Sequence, residues 1–248
     1  MEREKMKNQS NVIDAFEIRV ERGSYDARGI IPTSKYDHIH AGIDRKTGEL
    51  KLRVGAKVLM TPNDLGSITS ISDMGKLPTL IERCTGVKIS TGAMFKSRLT
   101  ALEVKKDVHF SEPLEDVLSA LREMSSISTN KQEVLTYYND VGYKNSILIK
   151  STSKSVKDSL CIYNKLYEMW LKRKKDCGYY FSFSHELKEN YKNVLRFERK
   201  IRWASALRKA LKLPEKEKVT LQHVFDSPYN LVGEKVKGLI GYEIGGSK

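Results

Sequence analysis

Two segments of this sequence alternate apolar and charged residues with a period of two, "RLTALEVKKDVHF" (98–110) and "NVLRFERKIRW" (193–203), and that period commits both to extended strands with one face on a core. In the first, Leu102, Val104, Val108 and Phe110 share one side while Glu103, Lys105, Asp107 and His109 share the other. In the second, Leu195, Phe197 and Ile201 pack on the core side, and Arg196, Glu198 and Lys200 project together from the opposite one. A chain with two such strands must build a sheet, and the remaining segments decide which kind.

Further strands are expected in "VIDAFEIRVERG", in the two halves of "YDHIHAGIDRKTGELKLRVGAK" around a turn at Lys46 to Gly48, and in "EVLTYYND", "YKNSILIKST" and "SLCIYNK". Helices are expected in "LPTLIERCTG", capped by Gly86, and in "SEPLEDVLSALREMSS", with Ser111 at the N-cap. "LYEMWLKRKK", "ASALRKALKL" and a short piece of "EKVTLQHVFD" complete the helical set. Strands outnumber helices in mixed order, which predicts an α+β fold: a central antiparallel sheet with flanking helices. Residues 1–226 read as one domain and 227–248 as a C-terminal tail.

The partner class follows from charge. Against 31 Asp plus Glu stand 44 Lys plus Arg, a formal net charge of +13 over 248 residues, which suits a polyanion bound through phosphate contacts and counterion release. The three cysteines, Cys84, Cys161 and Cys177, form no CxxC pair, so neither a disulfide framework nor a zinc knuckle is expected. With no secretory-type apolar stretch at the start and no run long enough to span a membrane, the protein is expected to be cytoplasmic, with no membrane partner.

If the two alternating strands are neighbours, their carboxylates converge. Oxygen ligands of that kind, with or without an imidazole, fit a hard divalent cation, Mg2+ or Mn2+. A solvated sheet face of alternating charges explains the same pattern. "SLCIYNKLYEMWLKRKK" (159–175) places Tyr163 and Tyr167 four apart with Lys165 between them. Tyr163 and Lys165 share a face if the strand stays extended through "CIYNK". A phenol with a pKa near 10 needs a nearby cation or metal to act as a nucleophile at neutral pH, and Lys165 is placed for that. Both tyrosines are equally consistent with packing at the edge of a core. In "DHIHAG", His38 and His40 flank one apolar residue and would point to the same side of a strand, a metal-binding spacing of three residues that two exposed histidines beside a hairpin also explain.

The order of four segments carries more than any one of them. "GELKLRVGAKVLMTPNDLGSIT", "SRLTALEVKKDVHF", "SLCIYNKLYEM" and "NVLRFERKIRWASALRKALKL" occur in that order, and the chain resembles over about residues 48 to 226 the filamentous-phage gene II replication endonucleases and related plasmid rolling-circle replication initiators. These belong to the HUH endonuclease class, whose members nick single-stranded or extruded origin DNA and become linked through tyrosine to the 5′ phosphate. The resemblance implies an HUH-like fold with circularly permuted strand order. It implies Tyr163 as nucleophile, Lys165 as its cation, and Glu168 as the acid that ends the motif. For the metal it implies Glu103, where relatives carry aspartate, with Asp107, Glu198 and His109, and His38 and His40 as the alternative pair.

It further implies a single-stranded or hairpin origin DNA partner, with a host helicase as a second one. The DNA backbone would be held by Arg196, by Lys172, Arg173, Lys174 and Lys175, and by Arg202, with Trp170 or Trp203 stacking on unpaired bases. A non-catalytic origin-binding or repressor protein is the rival from a different class, and a relaxase or transposase of the same chemistry is a second enzymatic rival.

Overall fold

The computed structural model describes residues 11–27, 29–30, 38–59, 66–128, 132–138, 144–151, 157–177 and 185–240. Among them it forms an α+β fold whose main sheet has eight strands in the hydrogen-bonded order β3-β4-β1-β6-β10-β9-β8-β7. These are β1 (Val12–Val20), β3 (Ile39–Ile43), β4 (Leu50–Gly55), β6 (Arg98–His109), β7 (Gln132–Tyr138), β8 (Lys144–Ser151), β9 (Lys157–Asn164) and β10 (Val194–Arg202). The chain divides into two compact units, residues 1–104 with 201–231, and residues 105–200 with 232–248; β6 and β10 run through both.

In the first unit β4 pairs antiparallel with β1 on one side and β3 on the other. The β3–β4 turn closes because Asp44 Oδ1 accepts from the Lys46 and Thr47 amides, and because Gly48 takes a φ of 67° that a side chain would strain. Ile13, Phe16, Ile18, Leu50, Leu52 and Val54 are buried, as are Met74, Leu77 and Ile81 of α1 (Ile71–Thr85), a helix that packs on β3 and β5 (Val87–Ile89); each such side chain is worth roughly 1.5–3 kcal/mol of removal from water. Helix α1 begins six residues before the expected "LPTLIERCTG". Ser70 and Asp73 form a reciprocal capping box there, and Gly86 in the left-handed region ends the helix as expected. A two-stranded sheet pairs β2 (Tyr25–Ala27) with β5 (Val87–Ile89). Short helices α2 (Thr91–Lys96) and α7 (Leu221–Phe225) meet through Phe95 and Phe225, and α6 (Ala204–Leu211) follows β10.

In the second unit β7, β8 and β9 form an antiparallel meander with α3 (Leu114–Ser128) against β8 and β7. Helix α3 starts at Leu114, past the expected cap at Ser111, because the Pro113 carbonyl already accepts the Val117 amide. Helices α4 (Lys165–Cys177) and α5 (His185–Tyr191) follow, and α8 (Leu231–Ile240) lies inside the segment read as a tail. Asp158 of β9 binds Arg199 of β10 through both oxygens, at 3.0 and 2.9 Å, and Lys235 of α8 at 3.2 Å, which ties that helix to the two strands.

The charged faces are not the solvated surfaces that period two implies. Glu103, Lys105, Arg196, Glu198 and Arg199 are all buried, so in mid-strand both sides of β6 and β10 are covered. Charges taken out of water must be paired, and the pairing organises the site.

Candidate functional site

The break between β9 and α4 sets the geometry around Tyr163. Asn164 Oδ1 accepts from the Tyr167 amide at 3.0 Å, an N-cap that ends the strand and makes Lys165 the first helical residue. Tyr163 and Lys165 therefore do not share a strand face. The Lys165 ammonium, buried, pairs with Glu168 at 2.8 Å and stands 5.8 Å from the centre of the Tyr163 ring. The Tyr163 hydroxyl donates instead to Glu198 Oε2 at 2.8 Å, while Lys200 holds Glu198 Oε1 at 2.9 Å. A cleft of about 300 Å³ in the second unit opens beside this pair, lined also by Ser146, Tyr167, Glu168 and Leu171. Tyr167 stacks on Trp170, ring centres 5.8 Å apart.

Burial, followed by the negative charges of Glu198 and Glu168, pushes the Tyr163 phenol far above its ordinary range, against an opposing pull from Arg196. The phenol is protonated in this state, and its proton points at a carboxylate. Cys161 in the same cleft is pushed up to about 11, by burial first and Glu198 second, so it is a thiol rather than a reactive thiolate.

In the first unit a second cleft, of about 460 Å³, gathers Asp14, His38, His40, Arg53, Lys57 and Glu103. Glu103 accepts from Arg53 Nη2 at 3.0 Å. The paired histidines at the start of β3 thus line the same cleft as an acid of β6, which sequence spacing does not show. His38 is exposed and His40 half-buried.

Strands β1 and β6 are neighbours in the sheet, and within the first unit they carry Asp14 and Glu103 into that cleft. Both are carboxylate donors of the kind a divalent cation takes. All-oxygen anionic donors suit a hard divalent cation, and the buried Glu103 gains from compensating positive charge. The set differs from the expected one. Asp107 has both oxygens in the guanidinium fork of Arg196, at 2.6 Å each, and His109 is exposed at the end of β6; neither lines that cleft. Asp14 takes part without having been expected. Its signal in the sequence is a lone acid between Ile13 and Ala15, both of which are buried.

Of the residues expected on DNA, Arg196 is buried and committed to Asp107, and Arg202 is exposed at the end of β10. Lys172, Arg173, Lys174 and Lys175 lie on α4, and their side chains fall outside the described residues. No helix among the described residues is long and apolar enough to cross a membrane.

No protein-family model matches the chain, and no curated protein matches it. Among solved structures it is similar to that of a rolling circle replication initiator protein from Geobacillus stearothermophilus, at 9% identity and a TM-score of 0.42, over 96% of this chain and 99% of that one.

Proposed function

We propose that the protein is a metal-dependent DNA nicking enzyme that starts rolling-circle replication, with Tyr163 as its nucleophile. The observation that carries the reading is the hydrogen bond from the Tyr163 hydroxyl to Glu198 at 2.8 Å. A phenol whose pKa is pushed up can attack only if a positioned base takes its proton as the new bond forms, and Glu198 is within reach to do so. The collinear resemblance and the net charge of +13 support DNA as the substrate.

In the step proposed, the phenolic oxygen of Tyr163 attacks the phosphorus of one phosphodiester and its proton passes to Glu198 Oε2. The bond from phosphorus to the 3′ oxygen breaks, and that oxygen takes a proton from water. The products are a 5′-phosphotyrosine link and a free 3′ hydroxyl, and the reverse attack by a 3′ hydroxyl restores the phenol. Asp14 and Glu103 would hold magnesium or manganese, which would supply Lewis-acid polarisation of the phosphoryl oxygens. Lys200, paired to the other oxygen at 2.9 Å, orients Glu198, and Lys165 places positive charge beside the Tyr163 ring.

The test is incubation with manganese and single-stranded DNA carrying the inverted repeat next to the gene, read as a covalent adduct on a denaturing gel. An adduct that needs the metal is expected. Tight binding of the same DNA with no adduct would make the protein a non-catalytic origin-binding protein and would sink the reading.

A further inference from the structure

We infer that Trp203 is a base-stacking residue for single-stranded DNA, presented by a strained backbone at the junction of β10 and α6. The inference rests on the DNA-binding half of the proposed function and not on Tyr163. Three residues other than glycine have positive φ among the described residues, Asn193, Trp203 and Lys212. Lys212, with φ 56° and ψ 38°, ends α6 in the ordinary left-handed region. Trp203, with φ 73° and ψ 142°, lies outside that region, where a residue bearing a Cβ is rarely found and a bulky ring more rarely still.

That conformation is held from both sides. The Trp203 amide donates to the Thr100 carbonyl at 3.0 Å, and its own carbonyl accepts from the Leu207 amide at 3.1 Å in the first turn of α6. Glycine would meet both bonds without strain, and burial does not account for the choice of tryptophan, whose surface is 46% exposed. Fixing a large aromatic outward at a conformational cost is what a stacking platform requires, because every base offers a π-face and a rigid ring loses little entropy on contact.

The surroundings favour a nucleic acid over a protein or a second copy of the chain. From Arg202 to Lys212 the segment carries Arg202, Arg208, Lys209 and Lys212 and no acid. Arg208 is spent on the Glu217 carbonyl and Lys212 lies over the Tyr229 ring, but Arg202 and Lys209 are exposed on either side of the tryptophan's turn. The other tryptophan, Trp170, stacks on Tyr167 and is not among the residues with positive φ.

The experiment compares the parent chain with Trp203→Gly and Trp203→Phe for binding of a labelled oligothymidylate of about 16 nucleotides. Trp203→Gly should lose about tenfold in affinity with Tm equal to or above the parent's, since the strain is relieved as the ring is removed. Trp203→Phe should keep most of the affinity, and in a Trp170→Phe background the remaining indole fluorescence should be quenched by the oligonucleotide. An affinity for Trp203→Gly within twofold of the parent, a lowered Tm that accounts for the loss, or a parent that does not bind the oligonucleotide would each overturn the inference. The adduct assay on the same preparations keeps the two readings apart: an adduct at Tyr163 with no role for Trp203 overturns this inference alone.

Discussion

Tyr163 illustrates how a neighbouring group, more than residue type, sets what a side chain can do. Its phenol is held protonated by burial and by two carboxylates, so the protein without metal or DNA should not be a reactive phenolate. An ultraviolet difference titration of the parent against Tyr163→Phe should therefore show no ionisation assigned to Tyr163 up to the ordinary phenol value of about 10. A phenol titrating at or below that value and missing from the variant would contradict the burial and charge argument. Glu198→Gln keeps the shape and an acceptor oxygen but removes the base, and adduct formation should fall by about 10²- to 10⁴-fold with thermal stability close to the parent's. A rate within threefold would take the proton-acceptor role from Glu198.

At the scale of elements, strands and most helices are legible because their signals are local. The alternation of β6 and β10, the turn at Lys46 to Gly48 and the Gly86 cap are each read from a few adjacent residues and each occurs in the structure. What those signals do not encode is burial on the second face. Period two assigns Glu103, Lys105 and Arg196 to an exposed side, yet tertiary packing covers them and forces the pairings with Arg53 and Asp107. The site is legible to the same depth. Tyr163, Glu103 and Glu198 stand out in the sequence, whereas Asp14 and the Arg196–Asp107 pairing depend on which strands become neighbours.

Two substitutions test the packing that results. Gly66 has φ 77°, and a Cβ there would stand 2.4 Å from the Ala56 carbonyl oxygen, so Gly66→Ala should cost about 1–3 kcal/mol in a urea melt. Asp158→Asn leaves Arg199 and Lys235 without their carboxylate and should cost about 3–5 kcal/mol at neutral pH. Hydrogen bonding and charge from Arg199, then charge from Lys235, outweigh burial and lower the Asp158 pKa in the folded state. Its contribution is therefore present above the unfolded carboxylate value of about 3.9 and is lost as pH falls through the folded one, so parent and variant stabilities should converge in acid. A gap that stays constant with pH would mean the cost is packing alone.

For the whole molecule, the excess of +13 predicts a binding free energy dominated by phosphate contacts. The logarithm of single-strand affinity should fall linearly with the logarithm of salt, with a slope of about −0.7 per phosphate neutralised. An affinity insensitive to salt would point away from a nucleic-acid partner. The central claim, that Tyr163 becomes covalently joined to a 5′ phosphate, is tested most directly by digesting the manganese-dependent adduct and mapping the nucleotide-bearing peptide by mass spectrometry. The account predicts the phosphonucleotide on Tyr163, and loss of the adduct in Tyr163→Phe but not in Tyr167→Phe. A nucleotide on Tyr167 or on any other residue, or an undiminished adduct in Tyr163→Phe, would contradict it.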